Sequence, residues 1–132
     1  MSEQADDRQA IEQTVRRYFD GLYNSNGEDI RATFHPDAMV TGFMSDTGEM
    51  SAMNFEKFVA FVEGQTSPAS AGEPCELDVV TIDIAGKVAT AKLLDRYLNI
   101  RFTDYLSLVK DDKGWRVYNK LWHAEPIKDP QS

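Results

Sequence analysis

The sequence predicts an α+β domain in which a curved antiparallel sheet wraps a long N-terminal helix into a cone. Three observations lead there. Apolar residues recur at helical spacing near the N-terminus, at Ile11, Val15, Tyr18 and Leu22, with Phe19 beside them. From residue 76 onward the period changes to two and stays so through four consecutive runs. The chain has 132 residues, enough for one domain with its own core and too few for two. Helices followed by hairpin-connected strands belong to the α+β class. A single domain over 1–132 is expected, with an ordered core over about 7–126.

The elements follow in order. Residues 7–24 form the first helix, with Asp6 as N-cap and Gln9 as its capping-box partner. Asn24-Ser25-Asn26-Gly27 ends it. A short second helix over 28–34 stops at His35-Pro36, because the residue before a proline resists helical geometry. Residues 38–44 read as a short strand, and Ser45–Ser51, with Asp46-Thr47-Gly48, as a turn or hairpin. Asn54 caps a third helix, FEKFVAFVEG, whose Phe55, Phe58, Val59 and Val62 share one side. Residues 64–74, rich in Ser, Ala, Gly and Pro, read as a flexible lip. Four strands complete the chain, over 76–84, 87–100, 101–110 and 115–124, with a turn or bulge at 98–100. Ala85-Gly86 and Asp111–Gly114 are the hairpin turns.

Composition narrows the function. The net charge is −8, which argues against nucleic acid and against an anionic membrane surface, since both need clustered Lys and Arg. A single cysteine, Cys75, allows no internal disulfide, and no base stands beside it to make it a nucleophile. The N-terminus has no apolar signal core and no apolar run approaches a membrane span, so a cytoplasmic protein is expected. The two histidines, His35 and His123, form no ligand-spaced cluster, so neither a metal nor another cofactor is expected. There is no glycine-rich nucleotide loop and no nucleophile-elbow motif.

The alternation places an anomaly inside the cone. In the third strand Ile100, Phe102, Asp104, Leu106 and Leu108 share the apolar face, and Asp104 sits in its middle. In the second, Ala89, Ala91, Leu93, Asp95 and Tyr97 form the inward face, which adds another carboxyl group. In the fourth, unbroken alternation puts Trp115, Val117, Asn119, Leu121 and His123 inward. It puts Arg116, Tyr118, Lys120, Trp122 and Ala124 outward, where Tyr118 and Trp122 mark the interface of an expected homodimer. A carboxylate without a partner in such a place costs several kcal/mol or shifts upward in pKa. Tyr18, on the inward stripe of the first helix, can satisfy Asp104. Several polar groups on otherwise apolar faces describe either a satisfied polar core or a ligand-lined cavity, and the group as a whole favours the cavity.

RRYFDGLYNSNGEDIRATFHPDA, at 16–38, resembles the opening of the nuclear transport factor 2-like superfamily. FHPDA at 34–38, DYLSL at 104–108 and NKLWHAEP at 119–126 are similar to its putative lumazine-binding branch. The resemblance covers about residues 7–126 and implies a cone with cystatin-like topology, commonly a homodimer through the outer sheet face. Related members include ketosteroid isomerases, scytalone dehydratase and polyketide cyclases. By resemblance to the isomerases, whose tyrosine and protonated aspartic acid form an oxyanion hole, that role falls on Tyr18 and Asp104. The isomerase base falls on Gly42, with Thr41 beside it, and neither can serve. A base must come from His123, Asp95 or His35, of which His123 is favoured because an imidazole titrates near neutral pH.

The expected function is therefore binding of a small apolar or aromatic ligand. The chemistry this suggests is that of an isomerase, dehydratase or cyclase on a carbonyl substrate, and a non-catalytic binding or dimeric interaction module is the alternative. The catalytic candidates are Tyr18, Asp104, His123 and Asp95. The candidate ligand wall is Phe19, Met39, Phe58, Tyr97, Phe102 and Asn119. Met39 belongs to a dense group with Met44, Met50 and Met53, which fits an adaptable pocket or an ordinary core equally well.

Overall fold

The structure, a computed structural model, describes residues 3–127. Three helices, α1 (Glu3–Tyr23), α2 (Gly27–Thr33) and α3 (Phe55–Glu63), accompany six strands. The strands are β1 (Phe34–Met44), β2 (Met50–Asn54), β3 (Leu77–Ala85), β4 (Val88–Tyr97), β5 (Ile100–Asp111) and β6 (Gly114–Pro126). They form one sheet in the order β2-β1-β6-β5-β4-β3. β1 and β6 run parallel and every other neighbouring pair is antiparallel. The α+β cone predicted from the sequence is the fold observed.

The helices cover the inner face because their apolar stripes have nowhere else to go. Ile11, Val15, Tyr18, Phe19 and Leu22 of α1 are all buried, as are Phe55, Phe58, Val59 and Val62 of α3. Each large apolar side chain so buried stabilises the fold by roughly 1.5–3 kcal/mol. Polar ties fix how α1 lies on the sheet. Asp7 accepts from Lys110 Nζ at 2.8 Å and from Trp115 Nε1 at 3.0 Å. The Arg8 guanidinium donates to the Ile82 carbonyl at 3.2 Å, and Thr14 Oγ1 donates to that of Trp115 at 3.2 Å. Asn54 caps α3 as expected, its side-chain oxygen accepting from Lys57 N at 2.9 Å.

Several boundaries differ from the sequence reading. α1 starts at Glu3 rather than residue 7, long enough for Gln4 Nε2 to reach the Ile84 carbonyl at 3.4 Å. β1 starts at Phe34 rather than residue 38, because Phe34 already pairs with Val117 of β6. The Ser45–Ser51 segment is a hairpin turn into a further strand, β2. β4 ends in a two-residue loop, Leu98-Asn99, with φ of 54° and 58°. Two positive φ values make it the turn that matches the twist of the flanking strands. A leucine there costs about 1–2 kcal/mol, offset by its packing against the core and by the Asn99 N–H bond to Glu73 Oε1 at 2.9 Å. The segment read as a flexible lip is well tied. Ala69 N donates to the Tyr23 carbonyl at 3.0 Å, Tyr23 Oη to that of Glu73 at 2.6 Å, and Ser25 Oγ to that of Gln65 at 2.9 Å.

The consequential difference lies in β6. Leu108 pairs with Val117 and Ser107 with Asn119, which leaves Tyr118 as a β-bulge. One extra residue reverses the parity of everything after it. Trp115 and Val117 face inward as expected, but beyond the bulge the inward set is Lys120, Trp122 and Ala124. Asn119, Leu121 and His123 lie on the outer face instead. Met39, paired with Asn119 from β1, lies there too and is 41% exposed. Trp122, expected at an outer interface, is half-buried inside, its ring edge-on to Phe102 at 5.5 Å. Tyr118 is exposed on the outer face, against His35 at 5.0 Å.

Candidate active site

Four buried polar side chains meet between α1 and the inner face of the sheet: Tyr18, Asp95, Asp104 and Lys120. Tyr18 comes from the middle of the apolar stripe of α1. Asp104 occupies the centre of β5, with Leu93 of β4 on one side and Trp122 of β6 on the other. Asp95 stands one inward position further along β4, opposite Phe102. Lys120 is the first inward residue after the bulge, opposite Leu106.

Their contacts make one unit. Lys120 Nζ donates to Tyr18 Oη and stands 3.9 Å from Asp104 Oδ2. Its ammonium also lies over three rings, those of Tyr18, Phe58 and Phe102, at 5.1, 5.2 and 5.7 Å from their centroids. Aromatic faces partly replace the water that a buried cation loses. Because Tyr18 accepts from Lys120, its own proton remains available to a further acceptor. Burial raises the Tyr18 pKa well above its ordinary value, and the charges of Asp104 and Asp95 add to this. The phenol therefore stays a neutral donor across the physiological range.

The carboxyl side is under-satisfied. No hydrogen bond of ordinary geometry reaches either oxygen of Asp104, Oδ2 of Asp95 or the Tyr97 hydroxyl among the described residues, although Asp104 lies near enough to Tyr18 and Asp95 to act on both through side-chain hydrogen bonding. Burial holds Asp95 well above the usual carboxylate range, reinforced by Asp104 and opposed by Lys120. Burial, followed by the charge of Glu73, raises Tyr97 in the same way. Burial thus favours the protonated form of Asp95, beside the one ion pair of the cluster, Lys120 with Asp104. Buried polar atoms without protein partners call for an explanation, and a catalytic role, an ordered water or an ion are the recognised ones.

The candidates from sequence divide cleanly. Tyr18, Asp95, Asp104, Tyr97, Phe102 and Phe58 are brought together. Tyr97 and Phe102 lie 6.2 Å apart, and Phe58 packs on Phe34 at 5.5 Å. Phe19 is buried and stacks on Tyr23 at 6.3 Å. His123, Asn119 and Met39 are outside the cluster, and His123 faces Glu125 at 3.4 Å. His35 accepts from the Asp37 backbone N–H at 3.0 Å beside its proline, also away from the cluster. Lys120 was missed. Its signal was charge balance, since two inward carboxyl groups need a cation and β6 offers only Arg116 and Lys120. Among the described residues no group of three or more His, Cys, Asp or Glu could hold a metal, and no helix is long and apolar enough to cross a membrane.

Comparison with known proteins gives concordant results. The model of the family described as Putative lumazine-binding matches residues 6–123. Among solved structures, a nuclear transport factor 2-like protein of unknown function from Shewanella baltica superposes with a TM-score of 0.83 at 21% identity. That match covers 96% of this chain and 100% of the other. One from Methylobacillus flagellatus gives 0.78 at 25% identity, covering 94% of each chain. A domain from Nostoc punctiforme with a cystatin-like fold gives 0.71 at 17%, covering 99% of this chain and 82% of that one. A curated relative, aldolase FrzH from Cladobotryum, is 22% identical over 117 residues, 89% of this chain and 90% of its own length.

Proposed function

Because the chain belongs to the Putative lumazine-binding family of nuclear transport factor 2-like domains, we propose that its buried cluster receives a small, flat, carbonyl-bearing ligand and enolises it. The observation that carries this is the pairing of donors and acceptors inside one apolar shell. Tyr18 and Lys120 present donors at one point, and Asp104 and Asp95 present carboxyl oxygens beside them that no hydrogen bond of ordinary geometry reaches. A ligand carbonyl accepting from Tyr18 and Lys120 gains most as its oxygen becomes an enolate, because preorganised donors in a dry site act on developing charge. Asp104 takes the proton from the adjacent carbon and returns it elsewhere. The neutral Asp95 carboxyl orients the ligand. Isomerisation, dehydration, cyclisation and aldol addition all pass through such an intermediate, and a distant relative that bears the name aldolase is in keeping with that range. Entry is past Phe102 and Trp122, the half-buried aromatics at the edge of the cluster.

This reading assigns the oxyanion role to Tyr18 with Lys120, rather than to Tyr18 with Asp104. Tyr18→Phe is expected to lower the rate by roughly 10²–10³. An aryl enol such as 2-naphthol mimics the enolate and serves as the probe. Calorimetry is expected to give one site per chain, weakened by Tyr18→Phe roughly tenfold or more. Absence of saturable binding, or binding indifferent to Tyr18→Phe, contradicts the reading. A second reading, a non-catalytic carrier of a flat heteroaromatic ligand, is favoured by the family description. It predicts the same binding with no exchange of ligand α-protons into deuterated water.

The outer sheet face carries exposed Phe43, Tyr105, Leu121 and Tyr118, a set that fits a second copy of the chain. A homodimer through this face is part of the proposal, with Trp122 no longer among its contacts.

A further inference from the structure

We propose that Lys120 is a covalent nucleophile, which condenses through Nζ with the carbonyl carbon of its ligand to form a protonated Schiff base. This rests on the carbonyl-ligand reading above and goes beyond it, since enolisation by donors alone needs no bond to the protein. The geometry supplies each part of the condensation. Lys120 is buried within the aromatic shell of Tyr18, Phe58 and Phe102, the kind of apolar setting in which a lysine amine becomes a nucleophile. Asp104 Oδ2, 3.9 Å away, is the neighbouring carboxylate that takes the ammonium proton through one bridging water. Tyr18, bonded to the same nitrogen, is placed to protonate the carbonyl oxygen. By contrast Lys57, Lys87 and Lys113 are exposed and have no such shell.

The step balances within these groups. Asp104 takes one proton from the ammonium. The nitrogen lone pair then adds to the carbonyl carbon, and the C=O π pair moves to oxygen. That oxygen takes the Tyr18 proton, and Tyr18 regains one from the nitrogen, which leaves a neutral carbinolamine. Asp104 returns its proton to the hydroxyl, water departs, and the nitrogen lone pair closes the C=N bond. Overall one ammonium and one carbonyl give one iminium and one water, with charge conserved. The iminium withdraws electrons more strongly than the carbonyl did. The same carboxylate can then remove the α-proton to give an enamine, and water reverses the condensation to release product.

The test uses 2,4-pentanedione, a diketone that condenses with amines to a stable, ultraviolet-absorbing enaminone with loss of water and a proton. The folded protein is exposed to one equivalent of diketone per chain and mapped by peptide mass. The expected result is one adduct per chain, the diketone less one water, located on Lys120 ahead of Lys57, Lys87 and Lys113. Asp104→Asn should slow its formation by roughly 10²-fold, the low end of general acid–base assistance. The wild-type map decides the matter whether or not that variant folds. Adducts confined to the exposed lysines overturn the proposal. Reversible binding of the diketone, read as a change in tryptophan fluorescence, with Lys120 unmodified removes covalent chemistry while keeping the carbonyl-ligand reading. Neither binding nor adduct removes both.

Discussion

Lys120 and Asp104 set the energetics at the scale of single residues. Two charges 3.9 Å apart in an apolar interior lose their hydration, and their attraction recovers only part of it. Removing one partner leaves the other buried and unpaired, so Lys120→Met is expected to cost about 3–5 kcal/mol. Asp104→Asn added to it should restore most of that loss. Urea denaturation of the two single variants and the double variant checks this, and simple additivity would contradict the pairing. Asp95 gives a pH signature. Its folded pKa lies above its unfolded value, so its contribution is complete below the ordinary carboxylate range. As pH rises through the elevated folded value, the unfolded chain has already released its proton and stability falls. Asp95→Asn cannot ionise and should flatten that decline, as read from urea midpoints over a pH series.

At the scale of elements, the parallel contact of β1 with β6 is where sequence and structure part company. Gly42 pairs with Trp122 across that contact. A Cβ at Gly42 would sit 2.0 Å from Trp122 Cδ2 and 2.3 Å from its carbonyl oxygen. Gly42→Ala is therefore expected to cost about 1–3 kcal/mol, seen as a lower urea midpoint at unchanged slope. The position that resemblance assigned to a missing catalytic base is thus occupied by the space an inward tryptophan needs. Asp104, Asp95 and Tyr18 were legible because α1, β4 and β5 keep unbroken periods of 3.6 and 2. Lys120 and Trp122 were not, because the bulge at Tyr118 reverses parity. Neither glycine nor proline marks it, and only tertiary pairing with β5 fixes it. Asn119 and His123 were misplaced for that reason, and Met39 lies on the outer face beside its partner Asn119. The early start of β1 was hidden by Pro36, which breaks the pairing from Phe34 to Met39 without ending the strand.

For the whole molecule, the fold separates two faces of one sheet. The inner face concentrates charge in an apolar shell around α1. The outer face exposes Phe43, Tyr105 and Leu121, which the proposed dimer covers. Leu121→Lys should shift the sedimentation profile from dimer toward monomer while leaving 2-naphthol binding in place, because Leu121 faces away from the cluster. The central claim concerns the inner face: the Tyr18–Asp95–Asp104–Lys120 cluster is a ligand site and not merely a satisfied core. Its most direct test is nitrogen NMR of the lysine side chains, labelled at Nζ, during titration with 2-naphthol. The account predicts that the buried resonance, assigned by its loss in Lys120→Arg, moves to a saturable endpoint while those of the exposed lysines stay put. A Lys120 resonance unmoved at saturating probe, or shifts confined to the surface, would contradict it.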